Sequence, residues 1–133
     1  MIDKMLDRAR RAESNAYALY SHFSVGACIR TENDLLFSGC NVENAAYGLT
    51  QCAEASAIGS MVAAGELAIK EVVIVSSGED FCPPCGACRQ RLFEFSSSGT
   101  IIYLFNRGGA RLQITMDELM PFPFGSKNLG NDK

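Results

Sequence analysis

Three cysteines fall at spacings of three in CPPCGACRQ (82–90), namely Cys82, Cys85 and Cys88, and another, Cys52, opens the segment Cys52-Ala53-Glu54. Thiols so spaced can pair as disulfides, carry an iron–sulfur cluster, close a structural zinc site, or supply three ligands of an open zinc site that keeps its fourth place for water. Cys-x2-Cys alone is a moderately specific zinc signal. A third cysteine two residues ahead of a glutamate makes it a strong one. Zinc with three protein ligands lowers the pKa of a bound water to about 7, so hydroxide exists at neutral pH. Glu54 is close enough to reach that water but faces a different way on its helix from Cys52, which suits a proton shuttle better than a fourth ligand.

The competing uses of the same residues are specific. Cys52, Cys82, Cys85 and Cys88 together would close a four-cysteine structural site. A ferredoxin-type run would need a further Cys followed by Pro, which is missing, and Pro83-Pro84 stiffens the segment. Glu54 alone would pass for a first-turn glutamate facing a helix dipole. Cys28 and Cys40 read as packing residues of a hairpin. Disulfides are disfavoured by compartment: MIDKMLDRARRAES has no apolar h-region and no stretch approaches the length of a membrane span, so the chain is expected to be cytoplasmic, where thiols stay reduced.

The elements that must position these residues follow from periodicity. Ile2, Met5, Leu6, Ala9, Ala12, Ala16 and Leu19 recur at helical spacing and predict an amphipathic helix over 2–20. FSVGACIR and LLFSGCNV flank Thr31-Glu32-Asn33-Asp34 as a hairpin. A helix is expected from near Thr50 to near Ala64 with Gly65 as its C′ residue, then a buried strand in EVVIVSS. Arg89 to Phe95 reads as a short helix broken by Ser-Ser-Ser-Gly, before strands TIIYLFN and ARLQIT. Thr115 and Glu118 form a capping box for a last helix stopped by Pro121. Cys52 and Cys85 would then stand at two helix starts, whose partial positive charge favours thiolate.

This order of elements predicts a three-layer α/β/α sandwich around a mixed, about five-stranded sheet, in one domain over 1–133 with a flexible tail from about 126. A net charge of −3 and the lack of a basic run beyond Arg8, Arg10 and Arg11 exclude a polymeric nucleic acid as the expected partner.

Cys52-Ala53-Glu54 and Pro84-Cys85-Gly86-Ala87-Cys88 fill the zinc deaminase pattern of His or Cys, x-Glu, then Pro-Cys-x-x-Cys. From about Ala16 to Leu129 the chain resembles the cytidine deaminase family, of the small-subunit homotetrameric type, through YSHFSVGA (20–27), GCNVENAAYGLTQCAE (39–54), PCGACRQ (84–90) and LMPFPF (119–124). The resemblance implies hydrolytic deamination of cytidine and 2′-deoxycytidine in pyrimidine salvage, with one zinc per subunit, a small nucleoside as partner and no membrane. It implies Cys52, Cys85 and Cys88 as zinc ligands and Glu54 as the general acid and base. It also implies Phe23 packing on the pyrimidine, Asn41 and Glu43 holding the ribose, backbone contacts from Ala53, and Tyr47 and Phe124 in pockets completed by neighbouring subunits. Two features stand apart: many three-cysteine members resemble Cys-Ala-Glu-Arg, where this chain has Ala55, and Cys82 has no place in the shared motif. With Ala55, helix N-termini, backbone N–H groups or a cation such as Arg89 must offset the thiolate charge. An aminonucleoside-antibiotic deaminase, a nucleotide or nucleic acid deaminase and a zinc-stapled interaction module are the rival readings.

Overall fold

In a computed structural model that describes residues 1–131, the chain runs α1 (Ile2–Ser14), β1 (Val25–Thr31), β2 (Leu36–Cys40), α2 (Ala53–Ala63), β3 (Ile69–Ser76), α3 (Gly86–Glu94), β4 (Ser96–Phe105), β5 (Arg111–Thr115) and α4 (Met116–Leu119). The strands form one sheet in the order β2-β1-β3-β4-β5. β3 and β4 pair in parallel across the α3 crossover, and the other pairs are antiparallel. This is the expected mixed sheet.

The alternation of β3 explains the layers. Val72 and Ile74 point to one face and Val73 and Val75 to the other, and all four are buried, as a central strand covered on both sides requires. Met5 and Ala9 of α1 close one of these faces over Cys28, Val73 and Val75. Ala57, Ile58 and Met61 of α2, with Leu92 of α3 and Met116 and Leu119 of α4, close the other over Ala27, Ile29, Val72 and Ile74. Among the described residues no helix is long and apolar enough to cross a membrane.

Three boundaries depart from the sequence reading. α1 stops at Ser14 rather than near residue 20, because Tyr17 leaves the helix to bridge Val42, its N–H donating to the Asn41 carbonyl and its own carbonyl accepting from Glu43. α2 begins at Ala53 and not near Thr50, since Gln51 is held extended by a second bridge to Val42. The Ser-Ser-Ser-Gly segment expected as a breaker is the start of β4: Ser96 pairs with Ile69, and Thr100 donates its hydroxyl to the Ile69 carbonyl beside a register shift. The capping box at Thr115 and Glu118 is present in full. Residues Ser126–Leu129 of the expected tail form a 3-10 turn, and residues 132 and 133 lie outside the described residues.

Candidate metal and catalytic centre

The centre lies where α2 and α3 begin. Cys52 is the N-cap of α2 and Cys85 the N-cap of α3, both in extended conformation, and the two helices pack against each other. Their first turns aim at one point. Cys88, buried in the first turn of α3, brings its sulfur to that of Cys52, and the sulfurs of Cys52 and Cys88 and a carboxylate oxygen of Glu54 all lie within 4.8 Å of one another. Around them a cavity of about 150 Å³ is lined by Cys52, Ala53, Glu54, Cys82, Cys85 and Cys88, together with Val25, Asn41 and Pro83. Five of the residues singled out from the sequence for metal and proton chemistry or base contacts, Cys52, Ala53, Glu54, Cys85 and Cys88, thus meet at one cavity with Asn41.

The expectation that none of the six cysteines pairs is corrected here: the structure joins Cys52 and Cys88 as a disulfide, and leaves Cys28, Cys40, Cys82 and Cys85 free. The physical reason is the convergence of the two helix starts, which places the sulfurs in contact. A disulfide and a thiolate pair are alternative uses of that contact, and only the reduced pair can ligate a metal. The backbone suits the second use. The two Cα atoms are 7.3 Å apart, beyond the roughly 4.4–6.8 Å usual across a disulfide, a spacing that fits two sulfurs with an ion between them. Soft sulfur donors on two helix N-termini, with Cys85 on the same cavity, match the donor set of zinc.

Glu54 is 4 % exposed. Burial pushes its carboxyl above the ordinary value, opposed by its own backbone N–H and by the charge of Arg91. A nearly buried carboxyl whose proton affinity is raised is suited to taking up and releasing a proton. Cys82 is also pushed up, first by burial and then by Glu54 and Cys85. Cys28 in β1 is pushed up to about 11 by burial, which makes it an inert packing residue as expected.

Beside the centre, Asn41 is buried and uses both ends of its amide on the backbone: Nδ2 donates to the Phe23 carbonyl at 2.9 Å and Oδ1 accepts from the Val25 N–H at 2.9 Å. Glu43 accepts from the N–H groups of Tyr20 and Ser21 at 2.9 and 3.0 Å and from the Ser21 hydroxyl, whose bond holds its carboxyl below the ordinary value. Glu43 and Tyr47 line a separate hollow of about 220 Å³ with Tyr20, Ser21, Asn44 and Thr50. Phe23 packs its ring on Gly78, where an added Cβ would stand 3.0 Å from the ring. Phe124 is 59 % exposed, and its carbonyl accepts from Gln90 Nε2 of α3 at 2.8 Å. The single chain does not bring it to the cavity lining.

Arg89, the cation named from the sequence, does not reach the sulfurs. Its Nε donates to the Pro84 carbonyl at 2.8 Å and its Nη1 to the Leu119 carbonyl at 3.2 Å, which fastens the cysteine loop and the end of α4 to α3. Arg91 reaches them instead, with Nη1 at 3.8 Å from Cys52 Sγ and 3.9 Å from Cys88 Sγ. Its spacing of three from Cys88 on one helix is the signal the sequence carries for it, and the packing of α2 on α3 adds the reach to Cys52.

The comparisons with known proteins agree with this geometry. The family model described as "Cytidine and deoxycytidylate deaminase zinc-binding region" matches residues 1–104. The chain is 36 % identical over 128 residues to the cytidine deaminase of Sporosarcina psychrophila, covering 96 % of this chain and 94 % of that one. It is 35 % identical over 127 residues to that of Halalkalibacterium halodurans, covering 96 % of each. Among solved structures, the cytidine deaminase of Burkholderia pseudomallei superposes with a TM-score of 0.88 at 36 % identity, over 93 % of this chain and 99 % of that one. With the fold, the two helix-start cysteine motifs and these likenesses over most of its length, the chain belongs to the zinc-binding cytidine and deoxycytidylate deaminase family.

Proposed function

We propose that this chain, folding as a single domain, hydrolyses cytidine and 2′-deoxycytidine to uridine and 2′-deoxyuridine with release of ammonia, in pyrimidine salvage. The observation that carries the reading is the convergence of Cys52, Cys88 and Glu54 within 4.8 Å on a cavity shared with Cys85. Cys52, Cys85 and Cys88 would hold one zinc per chain, and when bound it supplies a water acidified to a pKa of about 7.

Glu54 moves the protons. As the water oxygen bonds to the ring carbon that bears the amine, a Glu54 carboxylate oxygen takes the proton the water gives up and delivers it to the adjacent ring nitrogen. The same carboxylate then carries the remaining hydroxyl proton to the amine nitrogen, the C–N bond breaks, and the new carbonyl and ammonia are left. A buried carboxyl with raised proton affinity suits both transfers.

Phe23 packs on the pyrimidine and Ala53 offers backbone groups to the base. Asn41 and Glu43 hold the ribose: although both already bind backbone, each Asn41 amide end keeps one further N–H or lone pair, and the Glu43 carboxylate keeps acceptor capacity. Tyr47, 78 % exposed, and Phe124 carry apolar surface that a neighbouring copy would cover in a homotetramer. Three thiolate ligands favour a reducing compartment, which supports a cytoplasmic location for the enzyme.

An ultraviolet assay with cytidine, 2′-deoxycytidine, cytosine and cytidine monophosphate, run beside metal analysis and sedimentation, tests the reading. Expected are one zinc per chain, turnover of both nucleosides, poor turnover of the base and the monophosphate, and a tetramer. Cytosine turned over as efficiently as cytidine would remove the ribose assignment, and zinc without turnover would favour a structural metal.

A further inference from the structure

Nη1 of Arg91 carries two N–H groups, and it lies within reach of two sulfurs, Cys52 Sγ at 3.8 Å and Cys88 Sγ at 3.9 Å. The two cysteines belong to different helices, so this one nitrogen spans the seam between α2 and α3. Charge makes the position significant. Three thiolates around a divalent ion leave one net negative charge, and among the described residues no lysine or arginine lines the cavity itself. Arg89 is committed to two backbone carbonyls. Position 55, which stands to Cys52 as position 91 stands to Cys88, is an alanine and supplies no cation.

We infer that Arg91 is the positioning residue that offsets the thiolate charge of the metal centre, holding the sulfurs of Cys52 and Cys88 from α3. This rests on the zinc reading proposed above. Charged N–H donors draw electron density from thiolate sulfur, so the metal keeps more of its positive charge for acidifying water, and the sulfurs are fixed in direction. Arginine suits the task better than lysine because its planar group offers several N–H donors at fixed angles and stays charged.

The test compares zinc-loaded wild type with Arg91→Met, which keeps much of the stem, Arg91→Lys, and the relocation variant Arg91→Met with Ala55→Arg. Two readouts besides turnover are taken: the rate at which a chromogenic chelator strips zinc, and the thiolate-to-metal charge-transfer band after cobalt substitution. Loss of an outer partner of a metal ligand typically costs about 10–100-fold in metal affinity or activity. Arg91→Met is expected to lose zinc faster by about that factor and to shift the cobalt band to lower energy, because its sulfurs hold their electrons less tightly. Arg91→Lys and the relocated arginine are expected to recover part of both. Equal stripping rates and coincident cobalt bands for wild type and Arg91→Met would overturn this inference alone. A wild type that takes up no zinc would overturn the metal reading as well.

Discussion

Asn41 grips the chain on both sides of Ser24: its side chain donates to the Phe23 carbonyl and accepts from the Val25 N–H, each at 2.9 Å. One buried amide therefore sets where the Phe23 ring stands and where β1 begins. Asn41→Ala strands both backbone groups, and an unsatisfied buried polar group costs about 1–3 kcal/mol. The variant is expected to unfold at lower denaturant concentration and to show a raised KM for cytidine, and an unchanged midpoint with only KM altered would mean that Asn41 serves the sugar and not the scaffold.

Glu54 separates catalytic from structural zinc. Glu54→Gln keeps the size and the hydrogen-bonding shape but cannot accept the proton, so zinc content should persist while kcat falls by at least about 10²–10⁴-fold. Metal analysis beside the rate of cytidine loss decides it. A variant that loses its zinc would make Glu54 a ligand; a fast zinc-replete variant would make it a helix-start glutamate.

Cys82 lines the same cavity as the expected ligands, so its sulfur is the natural candidate for a fourth. Burial raises its thiol pKa, which works against thiolate and hence against ligation. Cys82→Ala is expected to keep zinc and turnover nearly unchanged, whereas Cys85→Ala loses both. Release of zinc from Cys82→Ala would restore the closed four-cysteine site.

How far the chain could be read without its structure depended on whether local pattern or a distant partner decided each feature. The apolar run of β3 and the Thr115–Glu118 capping box are local, and both stand where the sequence puts them. The end of α1 was not local: Ala16 and Leu19 continue the apolar period, but the backbone of Asn41 and Glu43 captures Tyr17 first. Ser96 to Gly99 read as a breaker because their strand character comes from the pairing of Ser96 with Ile69 at the sheet's end, which leaves no trace in composition. At the centre, the cysteine spacings identified the residues that converge. The contact of Cys52 with Cys88, and the choice of Arg91 over Arg89, depended on how α2 and α3 lie against each other.

The turn at 20–22 gives a pH signature. The Ser21 hydroxyl is the largest of the causes that hold the Glu43 carboxyl below its ordinary value, followed by backbone N–H bonds. A carboxyl with a lowered folded-state pKa contributes stability above its unfolded value, and that contribution is lost as pH falls through the folded one. Ser21→Ala removes the leading cause, so Glu43 should titrate at higher pH, nearer an ordinary glutamate, with the acid limb of stability moved up in parallel. Carboxyl carbon NMR across an acid titration reads this directly, and coincident curves for wild type and Ser21→Ala would show that the backbone N–H groups suffice.

Gly39 in β2 lets α2 lie directly on the strand, and the centre depends on that approach. A Cβ built at Gly39 would stand 2.5 Å from the Ala57 nitrogen and 2.7 Å from the Ala53 carbonyl oxygen, both backbone atoms that no rotamer change can move aside. Gly39→Ala must therefore push the first two turns of α2 off the sheet, and with them Cys52 and Glu54, which stand at the start of that helix. Overpacking of this kind costs about 1–3 kcal/mol and occasionally more. The functional loss should exceed what instability explains, because a displacement of about 1 Å at a reacting group can cost about 10²-fold in rate. Assayed well below its unfolding temperature, the folded variant is expected to bind zinc more weakly and to turn cytidine over at least about tenfold more slowly. Gly59, which faces open space on the same helix, provides the control: Gly59→Ala should leave both zinc and rate near wild type. If Gly39→Ala lowers stability yet keeps full zinc affinity and rate, α2 can shift without disturbing the centre, and the tight seat on β2 serves the core alone.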